Sequence, residues 1–384
     1  MDLDPNAFSD SPLFRELQRV LLSSSGPVNW ELARQIGVAA AQEGRNDPAP
    51  DPADLGAMEE AVRVAELHVA GFTGLEPPTR VARVRVLRLA DWIASATSSL
   101  RAFIEPPAER MAQGLTELTA SAEAQAAEQG PFGGGLVAQL SPLLSGAQAG
   151  SVLGAVGAHA FSSYDIPLPR AGADELEFVP ANIGRFAQER SLDRTGFGTH
   201  VAIHEVVHRF TLTRPKIRDR FESAFGSFFS GLRFDSEGVA RKIGELDTSN
   251  PDAIQGLFEG EGGLMAAVLD DDQRIELGKI QALLAIAEGY AEHEVQEVGA
   301  QLLPESARIR EALKRDRLER QGPGFEALVG IELQPRHEEM AASFCRTVVE
   351  LTSEATLARM WEEDDGLPGL PELEEPRLWL ARIA

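Results

Sequence analysis

Prolines arrive in clusters along this chain, and the stretches between clusters carry apolar residues at the spacing of a helix. Proline lacks an N–H and its ring clashes with the preceding turn, so each cluster marks a boundary for a helix. Phe14 to Leu22 follows the capping-type residues Ser9 to Ser11, and Trp30 to Ala41 follows Asn29, a candidate N-cap. The break Asn46-Asp47-Pro48-Ala49-Pro50-Asp51-Pro52 precedes a helix from Ala53 to Val69. Glu76-Pro77-Pro78 precedes a helical region from Val81 to Leu100, and Glu105-Pro106-Pro107 separates that region from a helix reaching about Gln129. Residues 1–130 are thus expected to form an all-helical N-terminal layer. Beyond it, helices are expected over Gly196 to Thr213, Ile217 to Leu232, Glu237 to Ile243, Ala253 to Phe258, Asp272 to Val298 and His337 to Leu351. Leu176-Glu177-Phe178-Val179 is the best strand candidate. The fold class is mainly α with at most a short β element. No internal repeat or long linker divides the chain, so residues 131–384 and the N-terminal layer are expected to make one compact unit.

Charge excludes several partners. Lys and Arg total 36 against 60 Asp and Glu, a formal net charge of -24. Such a surface repels phosphate backbones and anionic headgroups, and no basic patch offsets it, so no nucleic-acid role is expected. The acidic start Met1-Asp2-Leu3-Asp4-Pro5 lacks a secretory signal, which makes a cytoplasmic location the expectation. From Gln129 to Tyr164 there is no charged residue, and Leu136 to Phe161 is rich in Ala, Gly and Leu. A membrane span needs about 20 mostly apolar residues. Gln139, Ser141, Pro142, Ser145, Gln148, Ser151 and His159 make this a poor one, whereas Gly146, Gly150, Gly154 and Gly157 suit a helix buried tightly against others. Stable membrane insertion is therefore not expected. Sequence leaves the oligomeric state open.

The chemistry concentrates in His204-Glu205-Val206-Val207-His208. Residues four apart on a helix sit about 40° apart around its axis, so both imidazoles can reach one ion. Glu205 projects from an adjacent face, where it can act as general base toward a water on the open position of a catalytic zinc. Two histidines can share a helix face by chance. Here Val201, Ile203, Val206, Val207 and Phe210 cover most of the helix, and buried imidazoles beside a carboxylate need partners. Cys345 is the single cysteine, so thiolate cannot supply a site and the ligands must be His and carboxylate.

The third ligand must come from elsewhere. Thr211 and Arg214 stand where a metzincin needs glycine and histidine. Glu288 lies in the apolar stripe of the helix that buries Leu277, Leu284, Ala291 and Val295, a costly place for a carboxylate unless a cation compensates it. It is either a ligand or half of a buried ion pair with an arginine. Glu292, one turn later, is either an acceptor for the free N–H of a ligand imidazole or a solvated glutamate. Tyr290 and His293 are candidate donors to an oxyanion. His200, one turn before His204, either lines the cleft or is a satisfied helix histidine, the favoured reading, and His68, His159 and His337 have no constellation around them.

The order of these segments resembles the bacterial zincin-like metallopeptidase type 2 family. The likeness rests on Tyr164-Asp165-Ile166-Pro167-Leu168-Pro169, Phe178-Val179-Pro180-Ala181-Asn182-Ile183, the HExxH segment and Glu288-Gly289-Tyr290-Ala291. A C-terminal run from Leu367-Pro368 through Glu372 and Pro376 to Trp379-Leu380 and Arg382 is similar too. The resemblance implies a zincin-like helical metalloprotease core holding Zn2+ through His204, His208 and Glu288, with Glu205 as catalytic base and Glu292 orienting a ligand. It implies a zinc-dependent hydrolase acting on a peptide or protein substrate. The 79 residues between His208 and Glu288 exceed the short spacing of better-known glutamate zincins. The alternative is a non-catalytic, metal-stabilised binding or assembly protein.

Overall fold

The structure is a computed structural model and describes residues 26–125, 135–170, 174–232, 271–319, 324 and 335–384. The helices expected over Phe14 to Leu22, Glu237 to Ile243 and Ala253 to Phe258 lie outside these residues. Helix α1 (Trp30–Gln42) starts where expected, with the Asn29 side chain accepting the Leu32 N–H at 2.9 Å. Helix α2 (Pro52–Thr73) has Pro52 in its first turn, Asp51 and Asp54 in a capping box, and a left-handed Gly74 at φ 71° to stop it.

The region Val81 to Leu100 is not one helix, and the N-terminal layer is not all-helical. Strand β1 (Arg83–Val86) comes first, and α3 (Leu89–Ser99) follows it. Asp47 sets the boundary, since its carboxylate accepts the N–H groups of Leu89 at 2.8 Å and Ala90 at 3.2 Å and so caps α3 from across the fold. β1 pairs in parallel with β2 (Glu175–Phe178), Arg83 opposite Glu175 and Val86 opposite Phe178. Pro106 and Pro107 also fail to separate two helices, because α4 (Arg101–Gln125) runs through them. Burial explains it: Phe103, Ile104 and Ala108 on either side are core residues, and that apolar area outweighs two lost backbone bonds.

The charge-free stretch forms α5 (Gly135–Gly157) and packs along α1. A Cβ on Gly150 would lie 2.5 Å from the Ala33 carbonyl oxygen, and one on Gly154 would lie 2.6 Å from the Ala40 Cβ. The two helices touch backbone to backbone, as the small residues suggest. Among the described residues no helix is long and apolar enough to cross a membrane.

Helices α6 (Pro180–Glu189), α7 (Arg194–Leu212) and α8 (Pro215–Gly231) follow β2. Asp193 caps α7 through the Gly196 N–H at 2.6 Å, and Pro215 opens α8 immediately after α7 ends. α7 lies between α2 and α9 (Asp271–Leu302), and α9 also packs on α8 and α11 (Pro335–Leu351). α10 (Ser306–Glu319) turns back toward α7. The short helices α12 (Glu354–Glu362), α13 (Leu370–Glu374) and α14 (Pro376–Ile383) finish the chain. There Arg382 forks onto Glu372 at 2.6 and 3.0 Å, and Trp379 donates to the Gly366 carbonyl at 2.6 Å. A connected set of buried apolar side chains runs from Val28 to Ile383, with both α7 and α9 inside it.

Candidate metal centre

Helical spacing and the crossing of two buried helices bring His204, His208 and Glu288 together. The two Nε2 atoms are 3.3 Å apart, and Glu288 Oε2 lies 3.6 Å from that of His204 and 3.5 Å from that of His208. The three atoms make a nearly equilateral triangle. A tetrahedral ion with bonds of about 2.1 Å separates its ligand atoms by about 3.4 Å, so the donor set fits zinc in both chemistry and size. The other oxygen of Glu288 receives Arg317 Nη2 at 2.9 Å. The ion pair with an arginine, one of the two readings of Glu288, is thus present alongside the histidine contacts.

The triangle opens on a cavity of about 980 Å³. One wall is the segment Phe161 to Asp165, which continues the sheet: the Val179 N–H donates to the Phe161 carbonyl at 2.8 Å, and Ser162 bridges Phe178. This wall is tied from behind. Asp165 Oδ2 accepts the N–H groups of Phe161 and Ser162 at 2.6 and 2.7 Å, Trp92 donates to the Ser162 carbonyl at 2.8 Å, and Arg170 donates to that of Ser163. The opposite wall carries Arg310, Lys314 and Arg317 from α10.

Glu205 sits beneath the cavity and does not line it. Its carboxylate is fully buried; Oε1 accepts the Tyr164 N–H at 2.6 Å, and Oε2 has no partner among the described residues. Burial pushes this acid up to about 7. Burial together with the charge of His204 pulls His208 down to about 4 and His200 down to about 3. His204 is drawn down by burial too, yet Glu288 beside it leaves it above its ordinary value. Against its own burial, Glu288 is held well below the usual carboxylate range by the two histidines and Arg317. A neutral imidazole and an ionised carboxylate are the forms that bind a cation.

Glu292 lines the cavity, but His208 Nδ1, the nitrogen turned away from Glu288, has no partner among the described residues. Tyr290 and His293 do not come to this cavity. On a helix, positions two and five residues past Glu288 are turned roughly 160° and 140° from it, so they face away. Tyr290 packs on Trp361, with ring centroids 5.3 Å apart, and His293 meets Glu354. His200 is not a satisfied histidine; it lines the cavity with Nδ1 unpartnered among the described residues. His159 lines it as well. Sequence reasoning gave no role to Tyr164, whose ring stacks on His208 at 5.4 Å, or to Arg317. The motif around Tyr164 was the available signal for the first. Arg317 had none, being one of many charges on a polar helix.

Comparison with known proteins bears on family and fold. A profile described as zincin-like metallopeptidase matches residues 28–380. A solved structure from Chloroflexus aurantiacus, described as a candidate hydrolase with a novel fold, superposes with a TM-score of 0.64 at 21% identity. That match covers 93% of this chain and 98% of the other, and at this identity it speaks for a shared fold. No curated protein matches. With its profile spanning nearly the whole length, the chain belongs to the zincin-like metallopeptidase family.

Proposed function

We propose that this protein is a zinc-dependent hydrolase that cleaves a peptide or a related amide bond. The observation that carries the reading is the triangle of His204 Nε2, His208 Nε2 and Glu288 Oε2, whose edges of 3.3 to 3.6 Å match the ligand separations of one tetrahedral zinc. When bound there, zinc supplies Lewis acidity, polarising a carbonyl and making water nucleophilic near neutral pH. Glu205 takes the proton at Oε2 while the Tyr164 N–H holds Oε1, and an acid near 7 accepts and returns a proton at little cost. The Phe161 to Asp165 wall, with Ser162 extended and Ser163 to Asp165 in a 3-10 turn, offers a fixed surface against which a peptide can be laid. Arg317 keeps Glu288 ionised and turned so that Oε2 faces the imidazoles.

A second reading, a metal-stabilised binding or assembly protein without turnover, draws on Glu205 lying below the cavity wall. One pair of measurements separates them. Metal content is read by plasma mass spectrometry, and hydrolysis of a quenched-fluorescent peptide library is followed in wild type and Glu205→Gln. The hydrolase reading expects zinc in both proteins, and turnover only in wild type, abolished by a chelator. Zinc without turnover on any library member supports the binding protein, and absence of zinc from wild type removes both readings.

A further inference from the structure

The far side of α9 carries a second set of potential ligands. His293 and Glu294 on α9 meet Glu354 in the first turn of α12, and one ligand atom from each lies within 4.8 Å of the others. His293 Nε2 lies 3.5 Å from Glu354 Oε2. Burial is nearly complete: Glu294 is 0% exposed and His293 5%, and both carboxylate oxygens of Glu354 are buried although its side chain as a whole keeps 15%.

What marks this cluster is the number of polar atoms left over. Both ring nitrogens of His293, both oxygens of Glu294, both oxygens of Glu354, the Tyr290 hydroxyl and the Trp361 indole N–H make no hydrogen bond among the described residues. Buried polar groups are otherwise nearly always satisfied, and two facing carboxylates in an apolar surrounding are among the costliest to leave alone. A proton shared between Glu294 and Glu354 would satisfy one oxygen of each and still leave both ring nitrogens of the buried His293 without a partner among the described residues. His293 Nε2 stands 3.5 Å from Glu354 Oε2, and one ligand atom from each of the three residues lies within 4.8 Å of the others, an arrangement that a single cation can fill. The charges agree: two carboxylates and a neutral imidazole balance a divalent ion.

We propose that His293, Glu294 and Glu354 form a second divalent-metal site, structural in role, that clamps the N-terminus of α12 onto α9. One nitrogen and two carboxylate ligands suit a transition metal of zinc type. The site is independent of the first, because it faces the opposite side of α9 and shares no ligand with it. The ion joins the C-terminal helices to the helix that bears Glu288. Its effect is on stability and metal content, with no part in bond cleavage.

The test uses the full-length protein, stripped with a chelator, reloaded with zinc and dialysed, with metal per chain read by plasma mass spectrometry. Wild type is expected to hold about two ions and the His204→Ala/His208→Ala double variant about one. Glu354→Gln and His293→Gln are each expected to hold about one, and to lose the zinc-dependent part of the thermal shift that the double variant keeps. Circular dichroism identifies any variant that has not folded, and Glu354→Gln, at a partly exposed helix start, is the milder of the two. Equal metal content in wild type, Glu354→Gln and His293→Gln overturns the proposal. So does a double variant with no metal. A result in which the double variant keeps the wild-type content while Glu354→Gln loses an ion instead refutes the His204 site and supports this one.

Discussion

Glu205→Gln should make the metal-free protein more stable, and the gain should depend on pH in a calculable way. The carboxyl is fully buried and its folded-state value is about 7, against about 4.5 in the unfolded chain. Below pH 4.5 both states hold the proton and the group contributes no pH dependence. Between 4.5 and 7 the native state keeps a proton that the unfolded state has released, so wild-type stability falls by about 1.4 kcal/mol per pH unit. Above 7 both states have lost it and the curve is flat again. The accumulated loss is about 3 kcal/mol. Glutamine does not titrate, and its amide oxygen still accepts the Tyr164 N–H, so the variant avoids that loss while carrying a pH-independent offset of its own. Urea unfolding of both chelator-treated proteins at half-unit steps from pH 4.5 to 8 gives the difference curve, in which titrating groups remote from Glu205 cancel and the neighbouring His204 contributes only through its coupling to Glu205. It should rise by about 3 kcal/mol across the window and then level. Parallel curves through the window would refute the claim that burial holds this acid protonated. Restoring zinc should shrink the rise, since a nearby cation favours the ionised carboxylate.

Three further outcomes follow from the geometry. Glu288→Ala removes one of three ligands, and with structural zinc held by roughly 10–16 kcal/mol the loss is about 3 kcal/mol, or roughly a hundredfold in Kd by competition with a chromophoric chelator; an unchanged Kd rejects Glu288 as ligand. Gly150→Ala places a Cβ 2.5 Å from the Ala33 carbonyl oxygen, and both contacts with Ala33 are backbone and cannot turn aside. Overpacking of about 1–3 kcal/mol set against about 1 kcal/mol of improved helix propensity predicts net destabilisation in denaturant unfolding, and a neutral result refutes the close approach of α1 and α5. Trp92→Phe removes the donor to the Ser162 carbonyl; about 1 kcal/mol should be lost, and amide exchange should quicken in Phe161 to Asp165 ahead of the rest of the chain.

Much of the fold could be read in one dimension because helices are local. α1, α2, α7 and α9 reveal themselves by caps, proline stops and apolar spacing, all within a few residues. β1 does not, since Arg83-Val84-Arg85-Val86 is only four residues long and becomes a strand through β2, far away in the sequence. Its boundary is set by Asp47, which is also remote in the sequence. Pro106 and Pro107 misled because the rule for proline is a local one, and burial of Phe103 and Ile104 overrides it. The candidate site divides in the same way. His204 and His208 follow from spacing within one helix, and Glu288 from a carboxylate in an apolar stripe. Tyr290 and His293 were drawn to the site by nearness in the sequence, yet a helix turns about 100° per residue and carries them to the opposite face. Arg317 and the Phe161 to Asp165 wall could not be found, since what places them is tertiary contact.

The seam between α1 and α5 has a thermodynamic character of its own. Most helix interfaces interlock side chains and freeze their rotamers, at a cost of up to about 2 kcal/mol for each long side chain. Where Gly150 and Gly154 meet Ala33, Ile36 and Ala40 of α1, α5 has no side chain of its own to freeze. The entropy is lost from the backbone instead, because glycine in the unfolded chain samples more conformations than any other residue and gives up roughly 0.5–1 kcal/mol more than alanine on entering a helix. The contact is therefore one of high shape selectivity and low side-chain disorder. Its cost lies in the ensemble of states the chain leaves behind, which no inspection of the folded contacts would reveal.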